Sequence, residues 1–122
     1  MGKHYLLNLY GCDFNCLNNE IFLRDLLEIA AESSGAKVLE TISYKFDPQG
    51  VTAISLLSES HISIHTWPEK GEAAVDIFTC GESNPKIGCD IIIHQLKSEN
   101  EELKNDVKEM KKLLHDLIDS KV

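Results

Sequence analysis

Between residues 37 and 79 the chain offers strand-like runs that follow one another with only turns between them, and this constrains the fold most. The runs are KVLETISYKF (37–46), VTAISLL (51–57), LSESHISIHTWPE (57–69) and AAVDIFT (73–79). Asp47-Pro48-Gln49-Gly50 and the stretch from Pro68 to Gly71 supply the turns. An earlier strand, HYLLNLY, precedes a helix NEIFLRDLLEIAAESS that Asn18 or Asn19 caps. Its apolar positions Phe22, Leu26, Ile29 and Ala30 follow helical spacing, and Gly35 is its stop. After a loop from Gly81, Asn84-Pro85 opens a second helix, with asparagine as cap and proline in the first turn. The order is β-α-β-β-β-β-α. Strands segregate from helices, which predicts the α+β class: an antiparallel β-sheet with helices packed on one face.

The C-terminal third adds a second pattern. Ile93, Asn100, Val107 and Leu114 fall every seven residues, and so do Leu96, Leu103, Met110 and Leu117. These are a and d positions of a heptad repeat sustained for about three and a half repeats. Glu99 would face Lys104 of a partner helix, and Asp106 would face Lys111. Asn100 at an a position is the polar residue that fixes a parallel two-stranded register. The plain alternative is one amphipathic helix lying on its own sheet. The narrow stripe favours self-association, and the register decays at Lys121. The expected division is therefore a core over residues 1–92 and a coiled-coil-like helix over 93–122, continuous with the core's last helix.

With 122 residues and 43% apolar content, the chain is one domain's worth and has enough for a real core. Twenty acids against twelve bases give a net charge of −8, which argues against a nucleic-acid surface and suits a cationic small ligand. The start, MGKHYLLNLYG, has an apolar run too short for a secretory signal and no small-residue cleavage site. No window approaches the ~20 apolar residues that span a bilayer. A cytoplasmic protein is expected, without a membrane partner, and its cysteines (Cys12, Cys16, Cys80, Cys89) as reduced thiols. Cys12 and Cys16 do not have the spacing of a CxxC knuckle and no second pair completes a zinc set, so no metal is expected. Cys12, Cys16 and Cys89 read as packing or surface residues.

The segment LSESHISIHTWPE carries more chemistry than a short strand needs. A serine hydroxyl held against its own preceding carbonyl can attack it, turning the Glu59–Ser60 amide into an ester. β-Elimination then breaks the chain, and hydrolysis of the resulting dehydroalanine leaves a pyruvoyl group on the new amino terminus. The reaction needs strain at the serine, hydroxyl or imidazole groups for proton transfer, and a dry pocket. Ser58, His61, Ser63 and His65 lie within reach along the chain. Taken alone, a serine–histidine pair in a strand is more often polar edge decoration.

SESHISIHTWPE, followed by a strand ending in FTCG (Phe78 to Gly81), resembles the signature of prokaryotic S-adenosylmethionine decarboxylase proenzymes. The resemblance includes GKH (Gly2 to His4), the helix that follows, FDPQGVT (Phe46 to Thr52) and AAVDIFTCG, and covers roughly residues 2 to 85. It implies a zymogen that self-cleaves between Glu59 and Ser60, so that Ser60 becomes a self-derived pyruvoyl cofactor, with no metal and no pyridoxal phosphate. The pyruvoyl carbonyl would form a Schiff base with the substrate amine and withdraw the electrons left as CO₂ departs. Cys80 matches the family's proton donor and His65 its processing histidine. Phe46, Trp67 and Glu69 match positions that hold the nucleoside. Each also has a plain reading: Phe46 and Trp67 as core, Glu69 as a turn residue, Cys80 as a buried thiol.

Two departures stand out. Thr52 replaces the serine that assists processing in the family, keeping the hydroxyl but restricting its rotamers. The family also finishes with a helix and a further strand, whereas no such strand is legible here. The family forms homodimers of cleaved protomers, so Ser60 and Cys80 of one protomer would meet His65 and Thr52 of the other. A coiled coil would reinforce that dimer or join two dimers. The first expected function is decarboxylation of S-adenosylmethionine, supplying aminopropyl donors for polyamine (spermidine) synthesis. The rivals are a pyruvoyl decarboxylase of ornithine or arginine, and an uncleaved, non-catalytic regulatory homologue.

Overall fold

The computed structural model describes residues 2–104. The elements run β1 (Lys3–Tyr10), α1 (Phe14–Leu17), α2 (Glu20–Ser33), β2 (Val38–Lys45), β3 (Val51–Leu57), β4 (Ser60–Trp67), a 3-10 turn (Pro68–Lys70), β5 (Glu72–Thr79), α3 (Pro85–Gln95) and β6 (Asn100–Lys104). The strands form one sheet in the order β2-β3-β4-β5-β1-β6, every neighbouring pair antiparallel. The two long helices cover one face: α2 packs on β2, β3 and β4, and α3 on β1 and β5. This is the expected α+β layering.

Alternation along the strands decides which side chains go under the helices. Leu7 and Leu9, Val51, Ala53 and Leu57, Ile62 and Ile64, and Ala73, Val75 and Ile77 all enter one buried core. From α2 that core takes Leu23, Leu26, Leu27, Ala30 and Ala31. The buried stripe is thus one position out of phase with the expected one at two places: Phe22 is only partly buried, and Ile29 is 54% exposed. Asn19 supplies the cap, its side chain accepting the Phe22 N–H at 3.0 Å. Gly88 lets α3 close on α2, since a Cβ there would stand 2.7 Å from Ser34 Oγ and 3.1 Å from the Ala30 carbonyl oxygen.

The chain after α3 departs from the heptad reading. The helix ends at Gln95, Leu96 caps it, and Lys97 takes a left-handed conformation with φ 56°. Leu96, expected at a d position facing another helix, is fully buried in the chain's own core. The backbone then reverses, the Glu99 N–H donates to the Tyr10 carbonyl at 3.0 Å, and β6 pairs with β1 from Tyr10↔Asn100 to Leu6↔Lys104. Asn100 and Leu103 therefore lie on a strand, which is the terminal strand the sequence did not reveal. The cause is tertiary: without β6, β1 would present a row of unpaired backbone groups at the sheet edge. The expected boundary between residues 92 and 93 falls inside α3. The remaining heptad positions, Val107, Met110, Leu114 and Leu117, lie outside the described residues, as does Lys121. Among the described residues no helix is long and apolar enough to cross a membrane.

Candidate active site

The bond between Glu59 and Ser60 sits at the tip of the β3–β4 hairpin. Leu57 and Ser60 are register partners, so Ser58 and Glu59 alone form the turn. Glu59 has φ 63°, an uncommon conformation for a residue with a Cβ. The Ser58 N–H donates to the Lys37 carbonyl at 3.0 Å, which ties the tip to the start of β2.

Cys80, just past β5, reaches both sides of that bond. Its backbone N–H donates to Ser60 Oγ at 3.2 Å. Its Sγ–H donates to the Glu59 carbonyl oxygen at 3.3 Å. The Ser60 hydroxyl, the Glu59 carbonyl and the Cys80 thiol, expected only as a proton donor to substrate, therefore meet at one point.

His65 and Thr52 form a separate pair. They are register partners on β4 and β3, and Thr52 Oγ1 lies 3.0 Å from His65 Nδ1. The threonine in the serine position thus still engages the imidazole. His65 lies five residue steps along β4 from Ser60, about 16 Å of extended chain, so one chain does not bring these two groups together. Phe46, Trp67 and Glu69 lie at the His65 end of the sheet: Trp67 ends β4, and Phe46 and Glu69 sit on the adjoining 46–50 and 68–71 turns. Phe46 and Trp67 are 46% and 41% exposed rather than core, and Glu69 is exposed. Tyr44 packs against Phe46 with ring centroids 4.9 Å apart and the ring planes tilted by 57°.

Ser60, at the hairpin tip, has the parity of the covered face, whereas the face away from the helices carries the Thr52–His65 pair. His61, Ser63, His65 and Trp67 of β4 project there, opposite in parity to Ile62, Ile64 and Thr66. It also exposes Ile42, Tyr44 and Leu56.

Sequence reasoning missed one cluster on this face. Asp76 of β5 takes His4 Nε2 on Oδ1 and His61 Nε2, at 3.0 Å, on Oδ2. Phe78 stacks on the His61 ring with centroids 6.1 Å apart. The signal was present as period-two placement of His61 and Asp76. Only the register, with Phe78 opposite both His4 and His61, shows that three strands meet there. The three ligand atoms lie within 4.8 Å of one another, so this trio could hold a divalent metal. Coordination would require both imidazoles to give up their Nε2 bonds to Asp76.

The other thiols are chemically quiet. Burial pushes Cys89 up to about 12. Burial also raises Cys12 and Cys16, which disfavours the thiolates a zinc site needs. The N–H of Cys16, donated to Asp13 at 3.0 Å, holds the Asp13 carboxyl below its usual range and caps α1.

This fold has counterparts among solved structures. The crystal structure of the adenosylmethionine decarboxylase from Aquifex aeolicus superposes with a TM-score of 0.82 at 38% identity, over 87% of this chain and 88% of that one. A Trypanosoma brucei AdoMetDC monomer shares the fold at TM-score 0.62 and 15% identity, over 83% of this chain and 44% of that one. A family model described as S-adenosylmethionine decarboxylase matches residues 3–117. A Prochlorococcus marinus protein named S-adenosylmethionine decarboxylase proenzyme is 50% identical over 86% of this chain and 85% of its own length. A Thermoanaerobacter pseudethanolicus protein of the same name is 46% identical over 82% of each chain. The chain belongs to the S-adenosylmethionine decarboxylase family.

Proposed function

We propose that the chain is a proenzyme that cuts itself between Glu59 and Ser60 and then decarboxylates S-adenosylmethionine, providing the aminopropyl donor for polyamine synthesis. One observation carries this reading: Cys80 holds both the Ser60 hydroxyl and the Glu59 carbonyl, on a turn whose glutamate has φ 63°. A thiol donating to that carbonyl polarises it toward attack, and the amide N–H on Ser60 Oγ orients the nucleophile. Those residues fit a pyruvoyl group made from Ser60. When formed, that group supplies a carbonyl that takes up the substrate amine and draws off the electrons left by CO₂.

The chain's own residues do the rest. Cys80, freed from the Glu59 carbonyl by cleavage, is positioned to return a proton to the substrate carbon. Phe46 and Trp67 offer aromatic faces to adenine, and Glu69 offers a carboxylate to ribose hydroxyls or to the sulfonium. Thr52 holds His65 at Nδ1, leaving Nε2 for proton transfer. Because His65 stands far from Ser60 within one chain, we assign the site to two chains. A two-fold packing of open faces would cover Ile42, Tyr44, Leu56 and Trp67 and bring the His65 of one protomer to the Ser60 of the other.

The test uses intact mass and labelled substrate together. The purified protein should give two fragments that part after Glu59, the larger with a blocked amino terminus. Carboxyl-labelled S-adenosylmethionine should release CO₂, while ornithine and arginine run in parallel should not. An uncleaved chain near 13.7 kDa that releases nothing would support the regulatory alternative. Release from ornithine or arginine alone would transfer the chemistry to a basic amino acid.

A further inference from the structure

Thr79, the last residue of β5, is 1% exposed, and its Oγ1 has no hydrogen-bond partner, the one such buried side-chain atom among the described residues. A buried hydroxyl without a partner forfeits its hydration with nothing in return, and native folds seldom carry one without a reason. Its address is specific. The β4–β5 register runs His61↔Phe78 and Ile62↔Ile77, so continuing it by one step sets Ser60 opposite Thr79. Both residues have the parity of the helix-covered face, with Ile62 and Ile77 as their neighbours. Directly opposed strand residues hold their Cβ atoms about 4.5–5.5 Å apart, within reach of two short hydroxyls. The next residue, Cys80, already holds Ser60 Oγ through its N–H.

The geometry points to Thr79 as a further catalytic residue of self-cleavage, its hydroxyl finding a partner only as the Ser60 hydroxyl reacts. This deepens the proenzyme reading and rests on it. As Ser60 Oγ bonds to the Glu59 carbonyl carbon, it sheds its proton to Thr79 Oγ1. The tetrahedral centre then collapses, the carbon–nitrogen bond breaks, and Thr79 passes its own hydroxyl proton to the departing Ser60 nitrogen. The hydroxyl ends as it began, one ester replaces one amide, and no other reagent is consumed. A donor left unpaired in the resting chain and paired along the reaction lowers the barrier rather than the ground state.

The test compares Thr79→Val and Thr79→Ser with the unaltered chain, following cleavage after Glu59 by intact mass and folding by thermal denaturation. Valine keeps the shape and removes the orphan hydroxyl, so Thr79→Val should melt no lower than the parent yet cleave about a hundredfold more slowly. Thr79→Ser should cleave much faster than Thr79→Val even where it melts lower. A purely structural threonine would give cleavage rates that follow melting temperature. Equal rates for the valine and serine variants, or a valine variant that cleaves like the parent, overturn the inference. Cleavage of the unaltered chain after Glu59 tests the proenzyme reading separately, and its absence would remove that reading whatever the variants do.

Discussion

The two faces of the sheet are built from the same strands and differ in everything else. Under the helices, β4 contributes Ile62, Ile64 and Thr66, all buried. On the other side the same strand offers His61, Ser63, His65 and Trp67. Apart from Thr79 at the end of β5, the buried strand hydroxyls of the covered face are paired in place: Thr41 Oγ1 with Ser55 Oγ at 2.8 Å, and Thr66 Oγ1 donating to the Leu17 carbonyl at 2.8 Å. The open face mixes imidazoles, hydroxyls and large exposed apolar side chains. Away from the hairpin tip, where Ser60 and Thr79 share the covered parity, the packed core and the open-face chemistry are thus separated by half a period of the strand. A substitution on one face need not touch the other.

The sharpest break between the faces should come from the thiols. With Cys89 pushed up to about 12 by burial, its thiolate fraction at pH 8 is on the order of one in ten thousand. Alkylation at that pH, mapped by peptide mass, should label Cys80 and spare Cys89 until the protein unfolds. Equal labelling would mean that α3 does not seal the core.

Stability gives the next contrast. Ile64→Ala, at a fully buried site, should cost about 2–5 kcal/mol in chemical denaturation. Ile42→Ala, at a 56% exposed site, should cost within about 0.5 kcal/mol in a lone chain. A large loss at Ile42 that varies with protein concentration would show that a second copy covers the open face. Gly88→Ala should destabilise by about 1–3 kcal/mol, because the added carbon meets Ser34 Oγ and the Ala30 carbonyl. The smallest effect belongs to Thr52→Ser. The hydroxyl on His65 survives, so cleavage and turnover should stay within about threefold, the change reflecting only freer rotamers.

Much of this was legible early because it is local. The asparagine caps at 19 and 84, the turn at 47–50 and the limits of VTAISLL each depend on a few neighbouring residues. The contents of LSESHISIHTWPE drew attention to Ser60, but it was the resemblance of that segment to a family signature that singled it out. The stripe of α2 was misjudged at Phe22 and Ile29, since helical spacing fits several adjacent phases and only the sheet chooses one. The terminal strand was hidden because Ile93, Leu96, Asn100 and Leu103 satisfy a heptad as well as they satisfy a helix end followed by a strand.

What the sequence alone determined was a run of alternating strands and two capped helices. Those features follow from dihedral preferences and short-range hydrogen bonds. The tertiary structure decided the rest: the pairing of β6 with the edge of β1, the meeting of His4, His61 and Asp76 across three strands, and the arrival of Cys80 on both sides of the Glu59–Ser60 bond. These depend on contacts between residues as far apart in the chain as Leu6 and Lys104. Such contacts leave no local mark, because strand register is set by which faces the whole chain can bury at once.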